Sequence, residues 1–148
     1  MTDSEEHIDY SKFTQSLRRL AEQHRHFVQD TEGQPDWILE GTRESVIQHF
    51  ETCFDTSWKM LRRYLLNNLG VVDVPSSPIP VLRLGGSNQL LGGETVDWIE
   101  YNKARISTSH DYDGKKAEAC ISLVPRFIGD AIRLHEHLTG IPWQSTKP

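Results

Sequence analysis

The feature that most constrains the fold is a long stretch without a helix breaker. From Thr42 to Leu69 the chain contains neither glycine nor proline, and its apolar residues recur at spacings of three and four. That period places them on one face of an α-helix. The stripe consists of Ile47, Phe50, Phe54, Trp58, Leu61 and Leu65. We therefore predict a helix from Thr42 to about Asn68, with Gly70 at its C-terminal cap.

Shorter segments repeat this pattern along the rest of the chain. Further helices are predicted over about Asp9–Asp30, Glu94–Ser107 and Lys115–Leu138. Ser77 and Pro78 precede an apolar segment that we interpret as a short helix or a compact loop. No segment shows convincing strand alternation. Amphipathic helices joined by short breakers bury their apolar stripes against each other, so the predicted fold class is all-α, an antiparallel four- to five-helix up-down bundle.

Length and composition favour one soluble domain over residues 1–148, with short termini, 1–8 and 140–148, that are prone to disorder. Charged residues make up 25% and hydrophobic residues 36% of the chain, as in globular proteins. No apolar run is long enough to span a membrane, and the acidic start does not resemble a signal peptide. We expect a cytoplasmic protein in which Cys53 and Cys120 are buried thiols.

Several kinds of site are excluded by the sequence. A phosphate-binding P-loop, a GxGxxG turn and an HExxH motif are all missing. His135 and His137 lie about 200° apart on a helix, so they cannot chelate one metal from one face, and we expect both near the surface. We predict neither a metal nor a cofactor. Because the net charge is −5, contact with nucleic acid requires a local site.

One segment, KARISTSHDYD at residues 103–113, concentrates groups that a metal-free ribonuclease needs. Arg105 supplies a planar guanidinium suited to phosphate. His110 titrates near neutral pH and can move a proton to or from a 2′-hydroxyl or a leaving oxygen. The hydroxyls of Thr108 and Ser109 can orient the chain or the phosphate. The alternative is a structural connection between helices, in which these hydroxyls are caps and Arg105 forms a surface ion pair.

Helix geometry restrains the catalytic interpretation. Arg105 and His110 are five residues apart, which is about 140° around an ideal helix. They share no face of a continuous helix. Either the helix ends near Ser107, or two copies of the segment meet across a dimer axis.

Two motifs carry a resemblance to a known family. Arg105, His110 and Tyr112 resemble the R-x4-6-H-x-Y signature of HEPN proteins, in the branch of nucleotidyltransferase substrate-binding proteins or HepT-like toxins. The stretch QHFETCFDTSWK at residues 48–59 is similar to the Q-x-F-E-x-x-F-E/D-x-x-W-K stretch of the same branch. The resemblance extends from about Tyr10 to Leu138, nearly the whole chain.

The resemblance implies an antiparallel HEPN-like bundle, a homodimer and a composite cleft formed by both signatures. It also implies a partner, a minimal nucleotidyltransferase acting as antitoxin, and an RNA substrate cut without metal. Arg105 would bind phosphate and His110 would do acid–base work. Tyr112 would accept AMP from the partner, which adds bulk and negative charge beside the cleft and silences the nuclease.

One position departs from the family pattern. Ile106 stands where active members usually carry a polar residue, often asparagine, so a hydrogen-bonding group is missing from the cleft. This departure favours the alternative, a non-catalytic substrate-binding subunit of a minimal nucleotidyltransferase. On the predicted second helix, Glu51 and Asp55 share a face, and we interpret them as solvated rather than as partners of the cleft arginine.

Overall fold

Five α-helices form the protein in a computed structural model that describes residues 7–110 and 114–146. The helices are α1 (Ser11–Gln29), α2 (Asp36–Asn67), α3 (Pro78–Ser87), α4 (Thr95–His110) and α5 (Gly114–Thr139), followed by a 3-10 turn at Trp143–Thr146. No strand occurs in the described ranges. The predicted all-α bundle is therefore confirmed. None of its described helices combines the length and apolarity needed to cross a membrane.

The start of α2 differs from the prediction. α2 begins at Asp36, six residues before the predicted start at Thr42. In its first turn, the amides of Ile38 and Leu39 donate hydrogen bonds to the carbonyl of Pro35. A single glycine, Gly41, costs a helix only about 1 kcal/mol, so the packed helix continues through it. The segment after Ser77 is a helix, with Pro78 in its first turn.

The predicted stripe of α2 is the centre of the core. Phe50 and Phe54 are fully buried and pack on Phe127 of α5, at ring-centroid distances of 5.0 and 6.3 Å. Trp98 and Tyr101 of α4 meet the same ring edge-on at 5.6 and 5.2 Å. Edge-to-face contacts add specificity to the apolar area that these rings bury. Phe127 thus joins α2, α4 and α5.

Polar groups at the α4–α5 contact are paired. The hydroxyl of Tyr101 donates to Asp130 Oδ2 at 2.5 Å, and the indole N–H of Trp98 donates to the carbonyl of Gly92 at 2.7 Å. Burial raises the pKa of Tyr101, and the neighbouring Asp130 raises it further. The carboxylate of Asp130, on α5, also lies close to the turn before α4. It therefore helps to hold α4 and α5 together.

The expectation that His135 lies near the surface was wrong. Only 1% of the residue is exposed, because its ring packs between Phe13 and Trp143 at centroid distances of 5.1 and 5.0 Å. Its Nε2 is 2.7 Å from the hydroxyl of Thr14, and burial lowers its pKa. His137 is exposed, as expected.

The turn beneath α5 offers a paired test of this packing. A Cβ at Gly92 would lie 2.5 Å from the carbonyl oxygen of Asp130 and from Cβ of Arg133. Gly129, on the exposed side of α5, has open space around the same position. We expect Gly92→Ala to lower the free energy of unfolding by about 1–3 kcal/mol through overpacking. Gly129→Ala should raise it by about 0.5–1 kcal/mol, because alanine loses less backbone entropy. Denaturant titration of both variants measures the difference, and equal effects would contradict the described packing.

Candidate functional site

Arg105 lies in the second-to-last turn of α4 and reaches across to α2. Its Nε and Nη2 donate to the two carboxylate oxygens of Asp55, at 3.2 and 3.0 Å. Its Nη1 donates to Glu51 Oε2 at 3.3 Å. The arrangement is a fork of two parallel hydrogen bonds with a third to a neighbouring carboxylate, a geometry that only arginine provides.

Thr108 completes this cluster, one turn further along α4. Its hydroxyl donates to Glu51 Oε2 at 2.8 Å, and only 2% of the residue is exposed. The expectation that Glu51 and Asp55 are merely solvated was therefore wrong, because α4 is rotated so that Arg105 and Thr108 face α2. The signal in the sequence was the spacing of four between the two carboxylates, which places both on one face of α2.

The carboxylates raise the pKa of Arg105 and fix the position of its guanidinium. The hydrogen bonds to Asp55 are the largest cause that raises the pKa of the guanidinium above its ordinary value, with the charges of Asp55 and Glu51 adding to them. The side chain of Arg105 remains 27% exposed. A guanidinium has five N–H groups, and the three hydrogen bonds of Arg105 within residues 7–110 and 114–146 use three of them and leave two.

The exposed part of Arg105 opens onto a groove of about 530 Å³ between α2, α3 and α4. The apolar part of its lining includes Trp58, Pro78 and Ile106. Ile106 is 51% exposed, so the residue that departs from the family pattern faces this groove and solvent. Arg105 therefore presents two donors at the edge of a largely apolar groove.

The helix does not end near Ser107: α4 continues without a break to His110. Of the two explanations for the 140° between Arg105 and His110, the early end of the helix was wrong. The backbones of Ser109 and His110 belong to α4, while their side chains lie outside the part that the structure describes. Tyr112 lies outside the described residues altogether. The structure thus brings together Arg105 and Thr108 of the predicted site, and adds Glu51 and Asp55.

The fold and the site define a small all-α protein in which an arginine is held by two carboxylates at the edge of a groove. The chain belongs to the family described as nucleotidyltransferase substrate binding protein like, whose model matches residues 6–140. A curated relative from Haemophilus influenzae, named Probable ribonuclease HepT, is 29% identical over 111 residues, covering 71% of this chain and 73% of the relative.

Two solved structures share the fold. HI0074 of Haemophilus influenzae, described as a substrate-binding domain of a nucleotidyltransferase, superimposes with a TM-score of 0.79 at 24% identity, over 88% of this chain and 98% of that one. A protein from Thermus thermophilus gives a TM-score of 0.72 at 26% identity, over 86% and 98% of the two chains. The HepT-like family suggested by the two motifs is thereby confirmed.

The ion pair between α4 and α2 should be measurable as a coupling energy. Because Arg105 and Asp55 are partly exposed, we expect a double-mutant cycle of Arg105→Ala and Asp55→Ala to give about 1 kcal/mol, decreasing with added salt. Arg105→Ala combined with Glu100→Ala is the matched control, since Glu100 pairs instead with Arg126. Urea denaturation of the variants provides the energies. A coupling near zero for the Arg105–Asp55 pair would contradict the described contact.

Proposed function

We propose that this protein is a metal-independent ribonuclease of the HepT type, the toxin of a pair in which a minimal nucleotidyltransferase is the antitoxin. The observation that carries the proposal is Arg105, held charged at a groove on the same unbroken helix as His110. The relative named Probable ribonuclease HepT and the family match support it. RNA is the substrate that an arginine and a histidine can cut without a metal.

In this reaction the 2′-hydroxyl of the RNA attacks the adjacent phosphorus, and the bond from phosphorus to the 5′-oxygen breaks. The products are a 2′,3′-cyclic phosphate and a 5′-hydroxyl. The 2′-oxygen loses a proton and the leaving 5′-oxygen gains one; His110 carries out one of these transfers and water the other. Arg105 stabilises the charge that develops on the phosphate oxygens through its two remaining N–H groups. Thr108, buried and hydrogen-bonded to Glu51, holds the end of the helix, while Ser109 would orient the phosphate.

The arrangement of Arg105 and His110 favours a homodimer. On one chain their positions are about 140° apart, so a phosphate that meets both requires a second copy. The outer face of α4 offers a contact surface, since Ile99 and Ile106 are seven residues apart and so lie on one side of the helix. Ile106 is 51% exposed. Such spacing makes an apolar seam along a helix.

A charge placed on this seam should separate the dimer. We expect Ile106→Glu to convert a dimer into a monomer in analytical ultracentrifugation, because it buries an unpaired carboxylate in the contact. Val72→Glu is the matched control, since Val72 is 78% exposed on a different part of the chain. A dimer that persists in Ile106→Glu, or a wild-type monomer, would contradict pairing through α4.

Regulation would act at Tyr112, two residues beyond the end of α4. Transfer of AMP to its hydroxyl forms a phosphodiester to tyrosine and releases pyrophosphate from ATP bound by the nucleotidyltransferase. The added negative charge would repel the phosphate of RNA from the cleft. Both partners would act in the cytoplasm, where their RNA substrate is.

A second function, a non-catalytic subunit that presents substrate to the nucleotidyltransferase, is favoured by Ile106. Its exposed aliphatic side chain lines the groove beside Arg105 in place of a polar group. The description of HI0074 as a substrate-binding domain agrees with this alternative. Cleavage separates the two functions.

The direct test is RNA cleavage by the purified protein in EDTA, after mass spectrometry has shown that Tyr112 is unmodified. We expect the wild type to cut and His110→Ala to lose about 10²–10⁴-fold in rate, the usual contribution of an acid–base group. His26→Ala is the control and should retain the full rate, since the His26 side chain lies on α1 and is 41% exposed. Absence of cleavage by unmodified wild type would leave only the subunit function.

A further inference from the structure

A second groove, which we call the α4–α5 groove, lies on a different side of α4 from Arg105. Its volume is about 650 Å³. The charged side chains that line it are Lys103, Lys115, Lys116, Arg126 and Glu100. Four of these five side chains are cations, although the whole chain has a net charge of −5. Positive charge is thus concentrated locally, as an anionic partner requires.

Two of these cations are available for a new partner. Lys103 and Lys115 are exposed, and within residues 7–110 and 114–146 neither side chain takes part in a hydrogen bond or an ion pair. Arg126 differs, because its Nη2 binds Glu100 at 2.9 Å and its Nη1 is 3.8 Å from Asp97. The two lysines line the groove from α4 and from α5, so a ligand lying in it meets both.

The start of α5 runs against the ordinary preference of a helix. Lys115 and Lys116 occupy its first turn, which contains no acidic residue. The N-terminus of a helix carries partial positive charge, so lysines there weaken the helix and acids strengthen it. A bound anion would reverse this cost by neutralising both the lysines and the helix terminus. Local preferences are commonly violated at functional sites.

The register of α4 connects this groove with His110. Position 110 is about 20° from position 103 around an ideal helix, but about 140° from position 105. Lys103 thus lies on the same side of α4 as position 110, whereas Arg105 lies on another side.

We propose that the α4–α5 groove binds the sugar–phosphate backbone of single-stranded RNA, with Lys103 and Lys115 contacting the phosphates that flank the cut. The inference rests on the proposed nuclease function and identifies how its substrate is held. The floor of the groove consists of small or aliphatic residues, among them Ala104, Ala119 and Leu123. None of the described residues that line it is aromatic and could stack on a base, so binding depends on phosphate charge and is insensitive to sequence.

The test measures binding separately from cleavage. Fluorescence anisotropy follows a labelled, unstructured RNA with full-length protein carrying His110→Ala, so that the RNA stays intact, in EDTA at increasing salt. Lys103→Gln with Lys115→Gln should weaken binding at low salt. Each lost phosphate contact lowers the slope of log affinity against log salt by about 0.7, so the double variant should lower it by about 1.4. Two RNAs of different sequence should behave alike.

Lys12→Gln with Arg19→Gln is the matched control, because it removes the same charge from exposed positions on α1. This helix packs on α2 and α5. The control should show the same slope of log affinity against log salt as the His110→Ala protein whose groove is intact. Thermal unfolding of both double variants checks that each is folded. Equal slopes in the groove variant and the control would overturn the proposal, as would the absence of any salt-dependent RNA binding.

Two further outcomes would assign the groove to a protein partner and overturn the proposal. In one, the groove variant binds RNA normally but no longer binds the nucleotidyltransferase. In the other, it binds RNA normally but becomes monomeric in ultracentrifugation. Failure of the nuclease function is recognisable separately. In that case the Lys103→Gln, Lys115→Gln variant would still lose slope of log affinity against log salt, which shows that the groove binds RNA, but the wild type would leave the RNA uncut.

Discussion

The packing of Phe127 against two neighbouring helices is the contact on which the rest of the structure depends. Its ring meets Phe50 of α2 at 5.0 Å and Tyr101 of α4 at 5.2 Å, both edge-on. Rings packed at these distances cannot rotate past each other without opening the core. The rotation of α4 about its own axis is therefore fixed, and with it the direction in which every other residue of that helix faces.

The functional character of α4 follows from this fixed rotation. The side that continues the buried stripe of Trp98 and Tyr101 directs Arg105 and Thr108 towards the carboxylates of α2. Another side directs Lys103 towards α5, and the outer face exposes Ile106 to solvent. One helix thus carries an arginine held by two carboxylates, a wall of a cationic groove and an apolar seam. These are the features on which the proposed nuclease and its proposed dimer depend.

Local patterns predicted the helices well, since the spacing of apolar residues is a property of neighbouring positions. The apolar stripe of α2 and the burial of its residues were predicted from their spacing of three and four alone. The partners of Arg105 were not, because Asp55 and Glu51 are 50 and 54 residues away and only the packed core determines which face of α4 meets them. The burial of His135 was missed for the same reason: its contact with Thr14 spans 121 residues.

The cationic groove also escaped prediction, since it combines one lysine of α4 with residues of α5 that only the fold brings together. Two lysines in a first helical turn were the available signal. By contrast, the family was recognisable from short motifs, because the residues at 48–59 and at 105–112 keep their spacing along single segments. The motif spacing left open whether the helix continues past Ser107, and because it does, Arg105 and His110 fall on different sides of α4.

In the proposed reaction, His110 and Arg105 serve a metal-free attack by the 2′-hydroxyl of RNA. The chemical groups at the ends of the RNA fragments test this reaction most directly, because they show which bond to phosphorus was broken. Mass spectrometry of fragments made in EDTA should show 2′,3′-cyclic phosphates on one side of each cut and 5′-hydroxyls on the other. Fragments that end in 3′-hydroxyls and 5′-phosphates would show that water attacked the phosphorus and that the bond to the 3′-oxygen broke. That result would contradict the proposed reaction.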